Sequence, residues 1–453
     1  MRVVVVGLAA TGEAVVRHFA SLGDEVVVVE DHPGARDYDN RVALARASGA
    51  DVLETPGPSD VAGLVATSDL VVPSPGVAER HPAISAARRA GIVVRSEIDV
   101  AAEVANAAGR PTVLAVTGTN GKTTVTSLVA AMLDAAGVRV VAAGNIGRPL
   151  LDAVNDDVDV VVAEVSSFQL AFTEVFRPRV AALLNIGDDH LDWHRTAEAY
   201  AHAKANVFAR QRDDDLLVFN ADDPVVAGLE AAAPARRVAF SVAPGAASGY
   251  RVVHAATGEL LVADDGSELV SLSALPRRAS HDVANALAAA AVARAVGATT
   301  SAIARALATV PPLPHRMSLV TEHDGVRYVD DSKATNVHAT LAAVRGLDDV
   351  VLIAGGRNKG LDLSALRVLA PRLRAIVAIG DAATEIAQAF AGTVPLTVAT
   401  SMRDAVRTAA AYARRGDTVL LSPACASFDW YDSYAARGAD FASEVRDLVE
   451  VGP

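Results

Sequence analysis

The segment Thr117-Gly118-Thr119-Asn120-Gly121-Lys122-Thr123-Thr124 follows the apolar run Val113 to Val116 and opens a helix-forming stretch, Val125 to Ala136. In a loop so placed, backbone N–H groups point at phosphate oxygens and the helix dipole adds partial positive charge. The Lys122 ammonium supplies a point charge, and the Thr123 hydroxyl can reach a Mg²⁺ ion. Gly118, Thr119, Asn120, Gly121, Lys122, Thr123 and Thr124 are therefore the expected cradle for the phosphates of ATP. The spacing departs from the general phosphate loop, which has Gly at the position held by Val116.

Two other strand ends carry groups that suit the same chemistry. Ala163-Glu164-Val165-Ser166-Ser167-Phe168-Gln169 closes an apolar run, where open α/β sheets place their ligands. The Glu164 carboxylate suits a Mg²⁺ ion beside the loop, although a lone strand-end Glu is as readily a solvated cap or an ion-pair partner. Asn185-Ile186-Gly187-Asp188-Asp189-His190-Leu191-Asp192 ends another run, and Lys204 lies 14 residues beyond His190 on the next helix. The shared sheet is what lifts His190 above the ordinary structural histidine.

Farther along, Pro314-His315-Arg316, Asp330-Asp331-Ser332-Lys333-Ala334-Thr335-Asn336, Gly355-Gly356-Arg357-Asn358-Lys359-Gly360 and Ser422-Pro423-Ala424-Cys425-Ala426-Ser427 each border a strand. Paired glycines let the backbone approach an anion, and Lys359 and the Ser hydroxyls are donors, a set that suits a carboxylate-bearing substrate. The alternative is an ordinary salt-bridge cluster. Cys425 reads as a small buried thiol rather than a nucleophile, since no basic partner lies near it in sequence. At the amino terminus, Gly7-Leu8-Ala9-Ala10-Thr11-Gly12 is a weak dinucleotide signature with Ala9 where a second Gly belongs. Glu30-Asp31 ends the second strand, where an acid would grip a ribose, and Ser74-Pro75-Gly76 ends a later one. These features point to a nucleotide-like ligand, with NAD one option.

The elements that position these residues are short Val/Ile/Leu runs alternating with Ala-rich helical stretches, the mark of an α/β chain with parallel sheets covered on both faces. Three domains are expected from 453 residues at ~150 per domain. Residues 1–109 form a Rossmann-like domain, 110–311 a central domain with a phosphate-loop ATPase-like parallel sheet, and 312–453 a second Rossmann-like domain. Arg236 to Leu272 reads as an antiparallel flap, and Val310-Pro311-Pro312-Leu313-Pro314 as the best linker, because each Pro fixes φ and removes a donor. Forty-one Lys and Arg against 54 Asp and Glu leave −13, a balance that repels nucleic acid and anionic membranes. The single cysteine excludes an intrachain disulfide and a multi-Cys zinc site. The start reads as a strand turning into a helix rather than an export signal, and no apolar run approaches the ~18 residues of a membrane span. A cytoplasmic protein, monomeric and without nucleic-acid or membrane partners, is expected.

Taken together, the Thr117–Thr124 loop, Gly144-Asn145-Ile146-Gly147, Glu164-Val165-Ser166-Ser167-Phe168-Gln169, Asp189-His190-Leu191-Asp192 and Pro314-His315-Arg316 resemble the Mur ligases, ATP-dependent amide-forming enzymes of peptidoglycan precursor synthesis. The likeness spans essentially the whole chain. Asp331-Ser332-Lys333-Ala334-Thr335-Asn336 and Leu421 to Ser427 resemble the members that add D-glutamate.

The resemblance implies that ATP phosphorylates the carboxylate of UDP-N-acetylmuramoyl-L-alanine and that the D-glutamate amine attacks the acyl phosphate. It implies Lys122, His190 and Lys204 as catalytic residues. Two Mg²⁺ ions are implied, with Thr123 and Glu164 on one, His190 on the second, and Lys204 carrying a CO₂-derived carbamate. Asn285 is implied at the adenine, Asp331 at the ribose and Arg316 at the phosphates of ATP. Thr11, Asp31, Ser74, Gly76, Asn145 and Ser166 are implied for the UDP-substrate, and Lys333, Thr335, Lys359, Ser427 and Tyr434 for D-glutamate. Asp282, His32 and Tyr434 depart from the family pattern, which has Asn, a hydroxyl residue and Phe there. Competing readings are a nicotinamide-dependent oxidoreductase, a nucleotide-binding regulator, and a ligase of this family or of the folylpolyglutamate type that takes another amino acid.

Overall fold

Valine runs bounded by turn residues make the strands of the first sheet. Val3 to Val6 are at most 2% exposed, so the strand is covered on both faces, as a parallel strand between helix layers must be. The computed structural model describes residues 1–34, 37–256 and 258–451. The first sheet comprises β1 (Arg2–Val6), β2 (Glu25–Glu30), β3 (Asp51–Glu54), β4 (Leu70–Pro73) and β5 (Val93–Val94) in the order β3-β2-β1-β4-β5, all parallel. The order turns between β1 and β4, whose carboxyl ends lead into Gly7 and Ser74, the crevice where such sheets bind ligands.

The second sheet has nine strands: β6 (Thr112–Thr117), β7 (Val140–Gly144), β8 (Val160–Glu164), β9 (Val180–Leu183), β10 (Leu216–Asn220), β11 (Arg236–Ser241), β12 (Tyr250–Ala255), β13 (Gly258–Val262) and β14 (Glu268–Ser271), in the order β14-β13-β12-β11-β10-β9-β6-β8-β7. Strand alternation divides its core. Val113 and Ala115 join the core shared with the first sheet, whereas Leu114 and Val116 pack beneath helices Lys122–Ala135 and Ser280–Ala295. β6 lies between β8 and β9, which brings the phosphate loop beside Glu164 and Leu184. The expected flap is instead a continuation of this sheet. β11 pairs parallel with β10 and, at its end, with β12, and only β12 to β14 run antiparallel. Gly249 permits this at φ +75, because a Cβ there would meet the Ala239 carbonyl oxygen at 2.3 Å.

The third sheet contains β15 (Ser318–His323), β16 (Val326–Asp330), β17 (Val350–Gly355), β18 (Leu373–Ile379), β19 (Leu396–Val398) and β20 (Thr418–Ala424) in the order β15-β16-β20-β17-β18-β19. Only β15 is antiparallel. The sheets fall into two compact units: Met1–Ile186 with Ala201–Val310, and Gly187–Tyr200 with the chain from Pro311 onward. The break at Val310 coincides with the proline run. Gly187–Tyr200, read from sequence as the segment that follows a central strand, packs with the third sheet because Asp189 bonds to Asn336 and Lys359. Among the described residues no helix is long and apolar enough to cross a membrane.

Candidate active site

In the first unit the phosphate loop is held by close approaches that only glycine allows. Gly121 has φ +84, and a Cβ on it would lie 2.4 Å from Asn285 Oδ1; one on Gly118 would lie 2.9 Å from Leu184 Cβ. Asn285, far away in sequence, is thereby beside the loop. Asn185 brackets it: its Oδ1 accepts from the Asn120 N–H at 2.8 Å, its Nδ2 donates to the Asn120 carbonyl at 3.1 Å, and its carbonyl accepts from the Thr119 N–H. Asn185 had no assigned role, although a polar residue just beyond a buried strand neighbouring β6 was the available signal.

Lys122 Nζ donates to the Gly118 and Thr119 carbonyls at 2.9 Å, and Lys204 Nζ donates to the same Gly118 oxygen at 2.8 Å. Lys204 is only 2% exposed. Two ammonium groups sharing one acceptor make a locally electropositive point that favours an anion. Thr123 and Thr124 stand in the first turn of Lys122–Ala135.

Glu164 closes β8 and is 2% exposed. Its Oε1 accepts from Asn145 Nδ2 at 2.8 Å, and its carbonyl accepts from the Asn145 N–H at 2.8 Å. Gly144, at φ +100, permits that approach, since a Cβ would sit 2.4 Å from the Glu164 carbonyl oxygen. Glu164 Oε2 is buried and has no hydrogen-bond partner among the described residues. An orphaned buried carboxylate oxygen is costly unless a cation occupies it. Among the described residues no group of three or more His, Cys, Asp or Glu side chains is arranged to hold a metal ion by itself. One carboxylate and a neighbouring hydroxyl suit Mg²⁺, which keeps waters and takes substrate phosphate oxygens as its other ligands. The residues present fit that ion.

At the carboxyl edge of the first sheet, Ser74 Oγ donates to the Gly7 carbonyl at 2.9 Å, and Gly12 lets the helix Ala10–Ser21 press on that same oxygen. Thr11 stands in the first turn of this helix, and Gly76, at φ +92, follows Ser74. The strand-end acid Glu30, read as a candidate ribose ligand, is consumed internally. Its carboxylate accepts from the Leu8 N–H at 2.7 Å and the His32 N–H at 2.8 Å, bonds that fix the loop. Asp31 pairs with His81 Nε2 at 2.7 Å. The His32 side chain is 89% exposed. Ser166 caps the helix Ser167–Leu170 in a capping box with Gln169. Asp282 sits 3.5 Å from both Arg277 and His281.

In the second unit, Asp189 gathers Lys359 and, at 3.1 Å, Asn336 Nδ2, and His190 Nε2 lies 3.8 Å away. Burial pushes the Asp189 carboxyl up, but Lys359, His190 and the hydrogen bonds from Lys359 and Asn336 outweigh it and hold the group below the usual range. Lys359, expected on a substrate carboxylate, is thus paired with Asp189 in this structure. The phenol that distinguishes Tyr434 from Phe receives the Lys333 ammonium at 2.8 Å. Ser427 is buried, and Thr335 precedes Asn336, which caps the helix Val337–Val344. His315 Nδ1 meets Asp330 Oδ2 at 2.6 Å, next to Gly438, where a Cβ would clash with both. Burial pushes the Cys425 thiol up to about 12, so it is no nucleophile.

Asp331 accepts from Ser422 Oγ at 2.9 Å and the Met317 N–H at 3.1 Å. Burial nevertheless lifts its carboxyl to about 7, against those bonds and the Arg316 charge. The folded state therefore holds a proton that the unfolded chain has lost, so stability falls as pH rises between about 4 and 7. Asp331→Asn is expected to raise the thermal midpoint of the second unit above pH 7, with the difference vanishing near pH 4. At about 1.4 kcal/mol per pKa unit the gain is a few kcal/mol. Melting curves across that range check it, and an equal difference at both ends would contradict the assignment.

Family models described as the Mur ligase MurD-like N-terminal domain, the Mur ligase middle domain and the Mur ligase glutamate ligase domain match residues 1–96, 116–293 and 315–425. A UDP-N-acetylmuramoylalanine–D-glutamate ligase of Frankia casuarinae is 46% identical, over 98% of this chain and 93% of its own length. One of Methylococcus capsulatus is 42% identical, over 99% and 95%. The MurF ligase of Thermotoga maritima, solved with ADP, shares the fold at a TM-score of 0.64 and 19% identity, over 95% of this chain and 96% of its own. The three matched segments follow the order of the three sheets, the middle one beginning within β6. The chain belongs to the Mur ligase family, in the branch of the UDP-N-acetylmuramoylalanine–D-glutamate ligases.

Proposed function

We propose that this chain joins D-glutamate to UDP-N-acetylmuramoyl-L-alanine through an acyl phosphate, driven by ATP and a divalent cation, in peptidoglycan precursor synthesis. The observation that carries this reading is the carboxyl end of the second sheet, where a phosphate loop holding two lysines lies beside a buried carboxylate with one unpartnered oxygen.

A carboxylate is a poor electrophile because its charge repels a nucleophile. Transfer of the γ-phosphoryl of ATP to one carboxylate oxygen, with ADP leaving, removes that charge and creates a leaving group. The amine of D-glutamate then attacks the carbonyl carbon, and phosphate departs with the oxygen that began in the substrate. The protein's part is positioning and charge neutralisation. The loop N–H groups not taken by Asn185 and the first turn at Thr124 hold the phosphates, and Lys122 leaves its loop carbonyls to neutralise the transferring group. Asn285 holds the base, Asp331 the ribose and Arg316 the phosphate end. Mg²⁺ would be held by Thr123 and Glu164, with His190 and Lys204 as further proposed ligands, and would supply charge stabilisation to the phosphate oxygens.

Lys204 serves as a carbamate. Its amine adds to CO₂ with loss of a proton, which turns a buried cation into an anion with two oxygens of the kind Mg²⁺ takes and leaves one N–H for the Gly118 carbonyl. Residues 1–109 hold UDP through Thr11, Asp31, Ser74 and Gly76, and residues 110–311 hold ATP and present Asn145 and Ser166 to the same substrate. Residues 312–453 bind the D-glutamate carboxylates through Lys333, Thr335, Lys359, Ser427 and Tyr434. Every assigned residue lies on one chain, and a monomer is the proposed active unit. ATP and a nucleotide sugar as substrates place it in the cytoplasm.

Phosphate release tests the reaction. It is expected only when ATP, UDP-N-acetylmuramoyl-L-alanine and D-glutamate are all present. In a panel of amino acids, D-glutamate inert with another accepted would overturn the assignment.

A further inference from the structure

Glu97, the first residue of the helix Glu97–Ala108, is 1% exposed, an unusual place for a carboxylate. Its Oε1 accepts from the Leu151 N–H at 2.6 Å, while its Oε2 is buried without a hydrogen-bond partner among the described residues. Leu151 lies in the first turn of the helix Leu150–Ala153, which ends the loop that starts at Gly144. That loop closes on itself through the Gly144 N–H and the Arg148 carbonyl, at 2.8 Å, and its other anchor is the pair of Asn145 bonds to Glu164. Asn145 is thus held between two carboxylates: Glu164, which grips it directly, and Glu97, which fixes the far end of its loop.

Two residues on, Asp99 does the same for the neighbouring segment. It is fully buried, its Oδ1 accepts from the Glu174 and Val175 N–H groups at 3.1 and 2.8 Å, and its Oδ2 takes Arg95 Nε at 2.6 Å. The Ser96 N–H reaches the Phe172 carbonyl at 2.7 Å. One helix start therefore anchors both segments that leave the strand ends bearing Asn145 and Ser166.

We propose that Glu97 is a positioning residue for the UDP-bearing substrate, acting through Leu151 and the Gly144–Pro149 loop on Asn145. The proposal rests on Asn145 contacting that substrate. The acceptor rather than the charge is what the loop needs. Burial pushes the carboxyl up to about 7 against the bonds from Leu151 and Leu150, so near neutrality the group is partly protonated and still accepts.

Steady-state kinetics with UDP-N-acetylmuramoyl-L-alanine, ATP and D-glutamate each varied in turn test it. Glu97→Leu, of similar volume but with no acceptor, is expected to raise the KM for the UDP-substrate about tenfold, within the range for a supporting partner of a site residue, and to leave the KM for ATP within about twofold. Glu97→Gln restores the acceptor and should recover most of that loss. Should Glu97→Leu not fold, Glu97→Asp keeps the polarity but withdraws the oxygens by one methylene, and the same KM should rise severalfold. An unchanged UDP-substrate KM, or equal rises for all three substrates, would overturn the proposal and mark Glu97 as purely structural. Asn145→Ala run in parallel separates the two readings: if its UDP-substrate KM is also unchanged, the site assignment itself has failed.

Discussion

Lys122→Ala is expected to lower turnover by about 10³-fold, the scale for removing a preorganised charge from a transferring phosphoryl group. Water cannot replace the ammonium, since solvent must reorganise as charge develops and a fixed cation need not. In this structure Lys122 spans the loop carbonyls of Gly118 and Thr119, so the substitution also removes a donor from each, and the Gly118 carbonyl keeps Lys204. The control is the fold: melting temperature and UDP-substrate binding should stay near wild type while acyl-phosphate formation is lost. Near-normal turnover would remove Lys122 from the chemistry. Loss of UDP-substrate binding together with turnover would point to a collapsed loop instead.

Lys204→Ala should reduce turnover by about 100-fold, and a short carboxylic acid such as acetate should restore part of it. The side chain is 2% exposed and ends on the Gly118 carbonyl, so truncation leaves a buried space next to the phosphate loop into which a small anion can fit. An anion there supplies oxygen ligands as the carbamate does, whereas a bare ammonium would repel Mg²⁺. The wild-type enzyme should correspondingly lose activity in CO₂-free buffer and regain it with bicarbonate. Full activity of the variant would end the carbamate proposal, as would wild-type rates indifferent to CO₂.

What the sequence disclosed and what it hid follow from the range of the interactions. Buried parallel strands announce themselves locally, as at Val3 to Val6 and Val350 to Gly355, because both faces must be apolar. The phosphate loop is contiguous and was equally plain. β15 escaped because Ser318–His323 alternates only weakly, although Asp324-Gly325, with φ +51 and +76, is the two-residue hairpin signal that marks it. The use of Glu30 to fix Leu8 and His32, the pairing of Asp189 with Lys359 and the bracket of Asn185 around Asn120 lay beyond reach. Each joins residues whose spacing carries no period, so only the folded chain shows which carboxylate is spent on its own backbone and which, like Glu164, keeps an oxygen without a hydrogen-bond partner among the described residues.

The mixed anhydride is the central claim, and oxygen tracing tests it most directly. UDP-N-acetylmuramoyl-L-alanine labelled with ¹⁸O in its carboxylate should pass one labelled oxygen to inorganic phosphate for each amide bond formed, and phosphate released without label would contradict the account.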